Sequence, residues 1–145
     1  MLMVDKRAFL YINKLSSVMI EVCCAIIVNE EGQVLVTQRS AVMSMPLKME
    51  FPGGKIEPGE TAEDCLIREI QEELDLTVEI ISPQPASAHH YPDFSILLLP
   101  FVCRIVAGTI LLREHAAYAW MAPSDLLNCD WAEADVPIVQ QYLAI

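Results

Sequence analysis

Glu69, Glu72 and Glu73 stand at spacings i, i+3 and i+4. On an α-helix those positions share one face, so three carboxylates would be gathered within a single turn. Like charges placed this way repel and destabilise a helix unless something cationic lies against them. A divalent ion held by hard oxygen ligands, Mg²⁺ or Mn²⁺, is the simplest partner, and it points to phosphate chemistry. The alternative for the same residues is a solvated acidic helix face with no ligand. The surrounding stretch, Gly54 to Leu76, is strongly acidic and reads GKIEPGETAEDCLIREIQEELDL.

The elements that would hold these residues follow from periodicity and turn signals. Thr61 to Leu74 is the clearest helix. Thr61, with Asp64 three residues on, forms a capping signature, and Leu66, Ile67, Ile70 and Leu74 provide an apolar face. Asp75 follows at the helix exit, where a left-handed residue is common and Asp tolerates it better than most. Val18 to Val28 reads as a buried strand. The turn at residues 29–32 returns the chain into a strand over Gln33 to Gln38, which predicts a hairpin.

Residues 39–48 read as a loop, and Met49 to Phe51 as a short extended piece entering Pro52-Gly53-Gly54. Gly53 and Gly54 permit a tight turn and close approach to a ligand. Further strands are expected over Thr77–Ile81, Ser95–Val106, Thr109–Arg113 and Ala117–Met121, with a loop over Ser82–Ala88. Pro100 suggests that its strand is bulged or lies at a sheet edge. Pro123 to Leu127 starts like a small helix, and Val136 to Leu143 is a C-terminal helix with Pro137 in its first turn. This mixture predicts one α/β (α+β) domain, an α/β/α sandwich around a mixed sheet.

The chain has 145 residues, enough for one domain with a substantial core. Its 54% hydrophobic and 20% charged composition is that of a globular protein. A net charge of −11 argues against non-specific binding to a nucleic-acid polymer, which needs clustered Lys and Arg. An anionic ligand must then be received by metal and a few local cations. Five cysteines show no metal-ligand spacing, and reduced thiols in a cytoplasmic protein are expected. No apolar run is long enough to span a membrane. Residues 1–18 lack the features of a signal peptide and are read as an extension of a domain over residues 19–145.

The spacing of the acidic stretch resembles the Nudix hydrolase box. Gly54 is followed after five residues by Glu60, and after seven more by Arg68-Glu69-Ile70, then Gln71-Glu72-Glu73-Leu74-Asp75-Leu76. The family pattern has Gly where Asp75 stands; every other defined position agrees. The resemblance implies a Nudix fold, a metal set of Gly53, Glu69, Glu72, Glu73 and Glu114, and a bracing pair of Arg68 and Glu60. One of the glutamates would position or deprotonate the attacking water.

EFPGGKIEPGE (residues 50–60), VTQR (residues 36–39) and the tail around LREHAAYAWM look like MutT-type nucleoside triphosphate pyrophosphohydrolases of the 8-oxo-dGTP and CTP kinds. On that basis Arg39 and Lys55 face phosphate. Glu50, Phe51 and Tyr91 belong to the substrate site, and Asp135 reads the base unless it merely caps the last helix. His89 and His90 are adjacent on an extended segment, point opposite ways and cannot easily share an ion. Trp120 and Trp131 are expected in the core, and His115 carries no assignment.

The implied activity is Mg²⁺-dependent hydrolysis of a nucleoside triphosphate to monophosphate and pyrophosphate, with a role in nucleotide-pool sanitation and a monomer or homodimer as the assembly. Three alternatives stand beside it: a Nudix enzyme for another nucleoside diphosphate derivative such as a nucleotide sugar, a non-catalytic ligand-sensing Nudix domain, and a protein-interaction module with an acidic helix.

Overall fold

A computed structural model describes residues 19–144; the extension expected over residues 1–18 lies outside them. Among the described residues eight strands and two helices follow in the order β1 (Met19–Ile27), β2 (Val34–Gln38), β3 (Met49–Glu50), β4 (Gly53–Lys55), α1 (Ala62–Leu74), β5 (Leu76–Pro83), β6 (Ser87–His90), β7 (Ser95–Gly108), β8 (Ala117–Met121) and α2 (Val136–Leu143). Two 3-10 turns, Pro123–Asn128 and Glu133–Asp135, precede α2.

The larger sheet is mixed, in the order β4-β1-β7-β5 with β6 also on β7; β1 and β7 run parallel and the other pairs antiparallel. A second sheet has the order β3-β2-β8. Alternate residues of β1 feed two cores, as the period of a strand requires. Cys23, Ala25 and Ile27 pack with Leu66, Ile70 and Leu74 of α1, while Cys24 and Ile26 pack with Ile138 and Val139 of α2. Helices therefore cover both faces, as expected of the sandwich. Each fully buried Leu or Ile contributes on the order of 2 kcal/mol over an exposed one.

Several expectations need correction. β1 and β2 do not form a hairpin: they enter different sheets and meet at one antiparallel bridge, Val28 to Val34. Pro100 lies in the central strand β7 rather than at an edge. Its carbonyl accepts from Gln84 N at 2.9 Å, and its missing N–H faces the same junction between the end of β5 and the start of β6, where no ladder bond is lost. The loop expected over Ser82–Ala88 shrinks, because β5 runs to Pro83 and β6 begins at Ser87. Ile67 points outward at 40% exposure, and Cys65 takes its place on the buried face of α1.

Thr109–Arg113 is not a strand. Leu111 N donates to Leu74 O at 2.9 Å and Arg113 N to Glu73 O at 3.2 Å, so this segment satisfies carbonyls that the end of α1 leaves without helical partners. Ala116 N then joins Gln38 O at 2.9 Å and leads into β8. Glu114 and His115 are thereby pinned between the end of α1 and β2.

Candidate active site

The acidic face is built by a turn, a cap and a helix. Glu57-Pro58-Gly59-Glu60 closes with Glu60 N donating to Glu57 O at 3.0 Å. Gly59 has φ +80°, which a turn of this kind needs in its third position after Pro. Thr61 then caps α1, its side-chain oxygen accepting from Asp64 N at 3.1 Å.

Glu60 is delivered by the turn to Arg68, which meets it in fork geometry: Nε to Oε2 at 2.7 Å and Nη2 to Oε1 at 2.9 Å. That guanidinium holds the Glu60 carboxyl down at about 2. Arg68 Nη1 also donates to Glu69 Oε1 at 3.0 Å and Glu72 Oε2 at 3.1 Å. One cation thus links the turn to two of the three glutamates. At the helix exit Asp75 has φ 58° and ψ 33°, the left-handed geometry expected where the family has Gly.

Glu73 is the buried member, at 8% exposure, and its Oε2 has no hydrogen-bond partner. Burial pushes its carboxyl up to about 9, with the charges of Glu69, Glu50 and Glu114 adding to the rise and a Gly53 backbone N–H opposing it. Glu69 is raised by burial too, against the pull of Arg68. A Cβ on Gly54 would stand 2.3 Å from the Glu69 carboxyl carbon, and one on Gly53 2.0 Å from Cys23 O. Glycine at both positions lets the strand lie directly against β1 and the glutamate.

Among the described residues no ready-made cage of three metal ligands is present, and Arg68 engages Glu69 and Glu72. The donor set nevertheless fits a divalent cation. Three carboxylates, Glu69, Glu73 and Glu114, lie within electrostatic reach of one another, and a buried carboxylate oxygen is left without a partner. All are hard oxygen donors.

Next to this face is a cavity of about 420 Å³, a volume typical of small-molecule sites. Its walls bring together Arg39, Glu50, Phe51, Gly53, Lys55, Tyr91 and Asp135, which are scattered over nearly a hundred positions of the chain. A wider groove of about 1060 Å³ beside it shares Lys55 and includes Glu60, His90 and Ser95, but lacks Arg39, Phe51, Tyr91 and Asp135. The smaller cavity is therefore the one lined by the residues expected to bind substrate.

Asp135 enters the cavity wall through tertiary pairing. Met49 N bonds Asp130 O and Ala132 N bonds Met49 O, laying the tail along β3. Phe51 N then donates to Asp135 Oδ2 at 2.8 Å. The Asp135 side chain makes no capping bond to α2, which removes the capping alternative. Burial pushes its carboxyl up to about 7, the Phe51 N–H opposing the rise. Phe51 packs on Trp131 with ring centroids 4.8 Å apart, so Trp131 supports the wall from the core. Tyr91 sits beside Phe94 and donates to Met45 Sδ at 3.4 Å. Arg39 donates to Glu50 and to the Ser44 carbonyl and hydroxyl.

His89 and His90 diverge as expected: His89 faces Glu133 and Tyr91, and His90 faces Ser95. Sequence reasoning missed Ser44, Met45 and Phe94 in the wall, because loop residues carry no periodic signal. It also missed Cys23 and Cys65. Their sulfurs lie 3.0 Å apart, donating to Gly54 O and Lys55 O, and burial pushes both thiols up, so they remain protonated donors behind the glycines.

Comparison with known proteins places this arrangement. The NUDIX domain model matches residues 19–142. The chain belongs to the Nudix family of hydrolases. It is 32% identical over 139 residues to the CTP pyrophosphohydrolase of Escherichia coli K12, covering 88% of this chain and 93% of that protein. It is 45% identical over 124 residues to the 8-oxo-dGTP diphosphatase of Haemophilus influenzae, covering 86% and 91%. The solution structure of the E. coli ORF135 protein, 32% identical, superposes with a TM-score of 0.77 over 90% of this chain and 93% of that one.

Proposed function

We propose that this enzyme hydrolyses free nucleoside triphosphates to the monophosphate and pyrophosphate with the aid of Mg²⁺. One observation carries the reading: a carboxylate cluster with an unpartnered buried oxygen on Glu73 adjoins a cavity of nucleotide-site size through the Gly53-Gly54 strand. Gly53, Glu69, Glu72, Glu73 and Glu114 would hold the cation, which when bound polarises phosphate, lowers the pKa of water and offsets developing charge.

The rest is done by the chain itself. Arg68, anchored on Glu60, holds Glu69 and Glu72 in place on the helix face. Arg39 and Lys55 face the phosphates. Tyr91 and Phe51 enclose the base, and the free oxygen of Asp135 meets its polar edge. Ionised, that carboxylate accepts from an exocyclic amine such as that of cytosine; protonated, it donates to a purine carbonyl. Its pKa of about 7 leaves both forms populated near neutrality. This suits relatives named for CTP and for 8-oxo-dGTP alike.

The test is a hydrolysis panel with Mg²⁺ containing CTP, dCTP, 8-oxo-dGTP, the unmodified triphosphates and nucleotide sugars, with pyrophosphate detected directly. Release of pyrophosphate from a triphosphate supports the reading. Cleavage confined to nucleotide sugars, or no cleavage, overturns it.

A further inference from the structure

All three nitrogens of Arg39 are engaged before any ligand arrives, with one Nη2 hydrogen left over. Nη1 donates to both oxygens of Glu50, at 2.5 and 3.1 Å, Nε to Ser44 O at 2.6 Å and Nη2 to Ser44 Oγ at 3.0 Å. To present its two-pronged fork to a phosphate it must turn away from Glu50. Glu50 has only 14% of its side chain exposed and lies within electrostatic reach of Glu73 and Asp135. A carboxylate left there without a partner would be strongly unfavourable, and that cost would oppose binding.

One further donor faces Glu50. His115 has 2% of its side chain exposed, its Nε2 is 3.8 Å from Glu50 Oε2, and its Nδ1 is buried without a partner. A purely space-filling role would be better served by an apolar residue, since an unsatisfied buried nitrogen costs stability. The ring is held in place because Ala116 N is tied to Gln38 O and Arg113 N to Glu73 O on either side of it. A shift of about 1 Å brings Nε2–H into hydrogen-bond range of Glu50.

We propose that His115 is a positioning residue that takes over Glu50 when Arg39 turns to the substrate phosphates. The hand-over needs no change of protonation, only the neutral tautomer with its proton on Nε2. It rests on the triphosphate reading above.

The experiment is steady-state hydrolysis of CTP and 8-oxo-dGTP with Mg²⁺ by the full chain and its variants. His115→Leu raises KM by about tenfold, with kcat changed less than about twofold, because an interaction present only in the bound state is lost. His115→Gln, whose amide nitrogen replaces Nε2, restores KM; His115→Asn, whose amide falls nearer Nδ1, does not. In an Arg39→Gln background Glu50 faces His115 with and without substrate, so adding His115→Leu leaves KM where Arg39→Gln put it. If His115→Leu does not fold, the Gln and Asn pair carries the test, with thermal melts to match their folded fractions. An unchanged KM, or an equal rise in both backgrounds, overturns the hand-over while triphosphate hydrolysis stands. A wild-type protein that cleaves neither nucleotide overturns both.

Discussion

The acidic face of α1 and the cavity beside it each bury a carboxylate, and they treat it differently. Glu73 stands among Glu50, Glu69 and Glu114, so burial and like charge act together and lift it to about 9. Asp135 is buried to a similar degree, with one backbone N–H from Phe51 as partner and with Glu50 and Arg39 acting in opposite directions, and burial lifts it to about 7. The first group needs a proton or a cation at neutral pH. The second can exist in either form there. A cluster of carboxylates thus suits the metal proposed above, whereas a carboxylate buried with a single backbone partner suits the proposed hydrogen-bond recognition.

Removing the charge at the acidic face should have the largest effect. Glu72→Gln or Glu73→Gln lowers turnover by about a hundredfold or more while circular dichroism stays native. Mg²⁺ raises the melting temperature of the wild type but not of Glu73→Gln. Full activity in both variants would remove the metal assignment. Next, Arg68→Gln frees Glu60, Glu69 and Glu72 together, and kcat falls by about ten- to a hundredfold, the range for groups that orient ligands. An unchanged kcat would make the Arg68 bracing irrelevant to catalysis.

The cavity carboxylate is read by pH. Asp135 has a folded pKa above its unfolded value near 3.8. Its contribution to stability is complete below that value and is lost as pH rises through about 7. Between pH 5 and 8 the wild type should lose roughly 2 kcal/mol relative to Asp135→Asn in urea unfolding. Parallel curves would show that burial does not hold this carboxylate's pKa up. The smallest effect is at the helix exit. Asp75→Gly relieves a left-handed non-glycine residue but removes bonds from Gln71 and Arg113. The net gain is below about 1 kcal/mol in the same unfolding assay, with activity kept. A large loss would mean that the Asp75 side chain, not the backbone geometry, holds the exit.

Legibility in the sequence followed locality. Glu69, Glu72 and Glu73 lie on one helix, so their spacing alone places them on a common face, and the motif adds Glu60 and Arg68 close by in sequence. The cap at Thr61 and the left-handed exit at Asp75 were legible for the same reason. Ile67 was assigned to the buried face that Cys65 occupies instead, because periodicity gives an apolar stripe but not its edge. The β1–β2 hairpin failed because a turn signal says that the chain reverses, not which sheet each strand joins. The strand expected at Thr109–Arg113 failed because composition does not reveal that its N–H groups serve the end of α1.

The amino-acid sequence by itself determined the acidic helix and the class of chemistry, since a 3.6-residue repeat converts spacing directly into geometry, and its motif resemblance supplied the Glu60–Arg68 pair. Its motif resemblance also supplied Arg39, Lys55 and Asp135 as names without a shared location. Only the tertiary structure decided that they meet in one cavity, that Asp135 is held by Phe51 rather than capping α2, and that His115 stands behind Glu50. Those contacts join residues up to 84 positions apart. They depend on how two sheets and the tail pack, and no local pattern encodes that.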